Sequence, residues 1–159
     1  MRYALALLVA CVLLVPIAAP AQGTGDEATI RKNVDMWVQQ YNTHDAAGLA
    51  KWYKADSVYL APGGEIFIGP DAVQKYFEHS FQQSPKSQIA VQLTQLKFVR
   101  PDLAVGHGTF EVTNLVMKDG TPLPMKGPWV TTFVKQDGQW APLAHGASMM
   151  LPKPVVEKR

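Results

Sequence analysis

The sequence predicts one α+β domain, with helices gathered on one side of a mostly antiparallel sheet. Two observations carry this reading. Apolar residues between Ile30 and Phe81 recur largely at helical spacing, whereas from Gln88 onward the period becomes that of strands. The later strands carry apolar residues on both parities, Trp129 and Phe133 on one and Val130 and Val134 on the other. Both faces of such a sheet require a covering partner, and in so small a chain a second copy is expected, giving a homodimer.

Taken in order, the chain of 159 residues opens with MRYALALLVACVLLVPIAAPAQ. Arg2, an uncharged apolar run and Ala19-Pro20-Ala21 read as a secretory signal peptide over residues 1–21. Cleavage after Ala21 would leave the mature protein periplasmic or secreted. The apolar run is broken by Pro16 and is shorter than the roughly 20 residues of a spanning helix, so no stable membrane span is expected after cleavage. The alternative is a lipobox, Leu8-Val9-Ala10-Cys11, with lipidation at Cys11. Cys11 is the only cysteine, which leaves the mature chain without a disulfide, a thiol nucleophile or a cysteine-built metal site. A formal net charge of +2, with no basic stripe, argues against nucleic acid as a partner.

Residues 22–26 read as a polar leader and residues 27–150 as the domain. Helix one is expected from Glu27 to about Asn42, N-capped by Asp26, with Ile30, Val34, Trp37, Val38 and Tyr41 on its apolar face. Asn42-Thr43-His44-Asp45 breaks it, and Asp45 caps a short helix from Ala46 to Tyr53. A strand from Ser57 to Ala61 turns at Pro62-Gly63-Gly64 and returns through Glu65 to Ile68. Gly69-Pro70-Asp71 starts a third helix whose buried stripe is Val73, Tyr76, Phe77 and Phe81. Four longer strands follow, at about 88–99, 103–117, 126–136 and 139–150. Asp119-Gly120 and Asp137-Gly138 suit tight hairpins, while Pro122 and Pro124 make the intervening hairpin end irregular. Residues 151–159 are expected to be a loose tail.

Several short motifs then line up in order: Tyr41-Asn42-x-x-Asp45, Ala55-Asp56-Ser57-Val58, Gly69-x-x-Ala72-Val73 and Asp137-Gly138-x-Trp140, with a last strand that reaches His145 and Ser148. In this the chain resembles the nuclear transport factor 2-like superfamily, and within it the SnoaL-like and SgcJ/EcaC-type domains, over about residues 27–149. The resemblance implies a cone-shaped (cystatin-like) fold, three N-terminal helices packed on a curved, mostly antiparallel sheet, with a deep pocket between helix one and the concave sheet face. Function varies widely on this fold.

The steroid isomerases of this superfamily need a tyrosine, a base aspartate and a second acid, and the matching places here are Trp37, Ala61 and Thr131. None can move the required proton. Its epoxide hydrolases use an interior arginine, and Arg31, Arg100 and Arg159 stand at exposed, turn or tail sites. What remains is aromatic and histidine-rich. Trp37, Tyr41, Tyr59 and Trp129 are expected to wall the pocket, with Thr131 among the ligand contacts, and core packing is the competing reading for the aromatics. His145, at a place where the resembling proteins often carry histidine, and His107 are the candidate acid–base residues, with a hydrogen-bonded structural role as the competing reading. His44 and His79 read as solvated. No HxxxH or HxH pair suggests a metal, and no cofactor is expected. Two functions stay open: a non-catalytic or accessory module binding a small apolar or aromatic molecule, and a cofactor-free enzyme of isomerase, cyclase or dehydratase type using His145.

Overall fold

The computed structural model describes residues 22–150, with side chains from Gly25 onward. Residues 1–21, where a signal peptide is expected, with Cys11 among them, and residues 151–159, expected to be a tail, lie outside the described residues. Helix α1 spans Gln22–Asn42 and α2 spans Ala46–Ala50, followed by β1 (Val58–Leu60) and β2 (Ile66–Ile68). Helix α3 spans Gly69–Gln83, and the chain ends in β3 (Gln88–Arg100), β4 (Leu103–Thr113), β5 (Met125–Gln136) and β6 (Gln139–Ala147). The helices pack against one six-stranded sheet of order β2-β1-β6-β5-β4-β3. Every neighbouring pair is antiparallel except β1 with β6. Register shifts in β3 and at Thr132/Phe133 of β5 add the local bends that curve such a sheet. The expectation of three N-terminal helices needs correcting, because only two precede the sheet and α3 follows the β1–β2 hairpin.

Helix α1 also begins earlier than expected. Residues 22–26 are helical rather than a leader, and Asp26 lies inside the helix instead of capping it. Its carboxylate accepts from Lys135 Nζ at 2.8 Å, so β5 anchors the first turns. The hydrogen bond and charge of Lys135 hold the Asp26 carboxyl below the usual carboxylate range. At the other end His44 adopts a left-handed φ of 56°. Its N–H donates to Tyr41 O at 2.9 Å and the Asp45 N–H to Gln40 O at 2.9 Å, the pairing of a Schellman C-cap. The same geometry stacks the His44 ring on Phe81 and sets Nε2 3.0 Å from the Ser87 carbonyl, so His44 is a half-buried structural residue rather than a solvated one.

Asp45 caps α2 as its position suggested, accepting from Gly48 N at 2.8 Å, although the helix stops at Ala50. Asn42 is bonded to Ile89 twice, its amide donating to the carbonyl at 3.0 Å and its oxygen accepting from the N–H at 2.7 Å. One side chain thus fastens the end of α1 to the start of β3. Val73, Phe77 and Phe81 form the buried stripe of α3 as expected, with Tyr76 half-buried at its margin. Asp137 and Gly138 both take positive φ in the β5–β6 turn, as a two-residue type I′ hairpin requires. Among the described residues no helix is long and apolar enough to cross a membrane.

Candidate functional site

The sheet registers bring six residues into one row across the concave face: Phe67, Tyr59, His145, Thr131, Gly106 and Leu96, on β2, β1, β6, β5, β4 and β3 in turn. Helix α1 crosses above this row and contributes Trp37 and Tyr41, while α3 brings Tyr76 and Phe77. Between them lies a cavity of about 110 Å³, walled mainly by aromatic rings. Gly106 adds no side chain to the row, and Phe133, Leu93 and Leu96 close in on the space a Cβ would take.

His145 sits at the centre. Its ring lies 5.2 Å from Tyr59, 5.8 Å from Trp37 and 6.3 Å from Trp129, centroid to centroid, each in an edge-on arrangement. Its Nδ1 is 3.0 Å from the Tyr53 hydroxyl. Its other ring nitrogen, Nε2, has no hydrogen-bond partner among the described residues. Burial among these rings lowers the His145 pKa to about 4, so the imidazole is neutral near pH 7. The residue as a whole stays half-buried because it borders the cavity.

Burial likewise pushes the phenols up: Tyr76 to about 12, and Tyr53 and Tyr59 further. No Asp, Glu, Lys or Arg lines the cavity among the described residues. The groups it offers are therefore neutral donors and acceptors. An imidazolium formed here would have no carboxylate to stabilise it.

Of the residues singled out in the sequence, Trp37, Tyr41, Tyr59, Trp129, Thr131 and His145 all line this cavity. His107 does not, and the expectation that it serves the pocket is corrected. It pairs with Val130 and Gln95 on the opposite face of the sheet, exposed, with Nε2 3.2 Å from Gln95 Oε1. The strand period of two decides this, since His107 follows the inward Gly106 by one residue. Ala61 is buried beside the site and carries no titratable group. Two phenols went unremarked in the sequence as site residues. Tyr53, just past α2, is the partner of His145 from 92 residues away, and Tyr76 reads in the sequence only as part of a helix stripe.

Nothing in the site resembles a metal centre: among the described residues no three His, Cys, Asp or Glu side chains converge.

A family model described as the SnoaL-like domain matches residues 34–142. Among curated proteins no significant relative was found. Solved structures share the fold. A candidate calcium/calmodulin dependent protein kinase II association domain from Xanthomonas campestris is 25% identical, with a TM-score of 0.66 over 84% of this chain and 92% of that one. A candidate scytalone dehydratase from Novosphingobium aromaticivorans is 16% identical, with a TM-score of 0.73 over 82% and 87%. A ketosteroid isomerase-like protein from Erwinia carotovora atroseptica is 19% identical, with a TM-score of 0.67 over 79% and 96%. At these last two identities the likeness is one of fold alone. The model match spans most of the described domain, and the chain belongs to the SnoaL-like domain family, within the nuclear transport factor 2-like superfamily.

Proposed function

We propose that this protein is an exported SnoaL-like module that binds a small, uncharged, largely apolar or aromatic molecule in the cone cavity without transforming it. The carrying observation is the chemistry of the wall: aromatic rings surround a neutral histidine, with no charged side chain among the described lining residues. A base held near 4 is poorly matched to proton abstraction at neutral pH, where efficient general bases titrate close to the working pH. An apolar cavity of roughly 150 Å³ holds one benzene ring, so a volume of about 110 Å³ suits a ligand of no more than one ring. Native mass spectrometry of freshly purified protein should show a co-purified small molecule, or a thermal shift with single-ring aromatics. A protein that is empty and indifferent to such compounds would refute the reading.

One observation favours a second reading. The Tyr53–His145 contact of 3.0 Å is a positioned phenol–imidazole pair facing a cavity, as an acid–base enzyme of isomerase, cyclase or dehydratase type would need. Turnover of any bound ligand that disappears in His145→Gln, while binding persists, would establish it over simple binding.

Export rests on the residues 1–21 pattern, and the mature N-terminus should be Gln22 on intact mass. The proposed partner is a second copy, docked on the convex face of the sheet. The neighbour of 25% identity being an association domain is in keeping with this.

A further inference from the structure

We infer that His145 presents an N–H, at Nε2, to the cavity, and that the site therefore selects single-ring molecules bearing a hydrogen-bond acceptor such as a carbonyl. The inference rests on the cavity being a binding site and adds the polarity of its one central contact.

A phenol has one donor and can accept as well, and a buried donor needs an acceptor. Tyr53 is buried, and among the described residues its hydroxyl meets one hydrogen-bond partner, His145 Nδ1.

Were the proton on Nδ1, the buried phenolic hydrogen would be left without an acceptor, so across the 3.0 Å contact Tyr53 donates to His145 Nδ1. A neutral imidazole whose Nδ1 accepts must carry its proton on Nε2. Nε2 is the remaining polar atom of a ring that lines the cavity, and it has no hydrogen-bond partner among the described residues. A ligand that offers only donors, or none, leaves this N–H without an acceptor inside an aromatic wall. One with a carbonyl satisfies it.

The test uses the chain labelled with 15N-histidine, observed by long-range 1H–15N correlation at pH 7.5, together with titrations of acetophenone and ethylbenzene, which share a ring and differ in the acceptor. The expected result is an Nε2-protonated His145 and acetophenone binding about five- to tenfold more tightly, the worth of one buried neutral hydrogen bond. Tyr53→Phe, which removes the donor to Nδ1, should then yield a mixture of tautomers and narrow the preference. An Nδ1-protonated His145, or equal binding of the two compounds, overturns the inference while leaving the binding function standing. Failure of both compounds to bind, with none found co-purified, refutes the binding function itself and the ligand preference with it.

Discussion

Burial holds the His145 imidazole at about 4 in the folded chain, against an ordinary value of 6.5. Between these values the unfolded chain binds the additional proton, so acid favours unfolding. The contribution is fully present above 6.5, declines as pH falls, and is lost by about 4. At 1.36 kcal/mol per unit the effect is at most about 3 kcal/mol, an upper bound because the ring borders a cavity. Urea unfolding of wild type and His145→Gln between pH 7.5 and 4.5 measures it. Wild type should lose stability more steeply than the variant, and parallel curves would show that His145 does not titrate in this way. The identity of this residue was legible in the sequence, because it stands on the last strand at a place where the resembling proteins often carry histidine. Its partner was not. Tyr53 lies beyond a short helix and 92 residues away, and only the parallel β1–β6 pairing, which is non-local, closes that distance. For His107 the parity was readable once Gly106 is known to face inward, but a glycine carries no hydrophobic mark to show it.

At the scale of elements, boundary signals worked where a side chain caps or turns the backbone locally. Asp45 at α2, Pro70 at α3 and Asp137-Gly138 at the last hairpin are examples. They failed at the start of α1, where Gly25 and Asp26 look like a helix boundary and the helix continues because Lys135 reaches across from β5. This gives opposite expectations for two glycines. Gly25 is in the helix with open space where a Cβ would be, so Gly25→Ala should stabilise the fold by about 0.5–1 kcal/mol. Gly108 lies on β4 beside the irregular pairing of β3, and a Cβ there would come within 1.7 Å of the Gln92 carbonyl oxygen. That atom is backbone and cannot swing aside, so Gly108→Ala should cost more than about 3 kcal/mol, as overpacking at a fixed contact does. Thermal melts of the two variants check both signs. A Gly108→Ala protein as stable as wild type would mean that the β3 bulge relaxes freely.

For the whole molecule, the feature with most consequence is the convex face of the sheet. The registers place Ile66, Leu60, Gly146 and Val130 in one row on β2, β1, β6 and β5, and Ile68, Val58 and Ala144 in the next. Ile66 is 63% exposed and Val130 is 49% exposed in the single chain. On β4 and β3 the same rows continue as His107 and Gln95, then Val105 and Lys97, so the apolar patch stops near the middle of the sheet. The sequence pattern of apolar residues on both parities thus applies to one half of the convex face only, a distinction that strand order decides and that periodicity cannot supply. A bounded apolar patch rimmed by polar residues is the form of an interaction surface, and covering it with its own copy would give an isologous dimer about a two-fold axis. Sedimentation equilibrium of the chain from Gln22 onward at micromolar concentration should therefore return twice the chain mass. Val130→Lys sets a charge in the patch with no acidic side chain opposite it in its row and should return the monomer. Met117→Lys, at an exposed apolar residue on the irregular β4–β5 connection, serves as the control and should remain a dimer. Circular dichroism confirms that each variant is folded, because an exposed side chain can be exchanged for lysine at little cost to the monomer. A monomeric wild type, or a Val130→Lys protein that stays dimeric, would move the partner off this face.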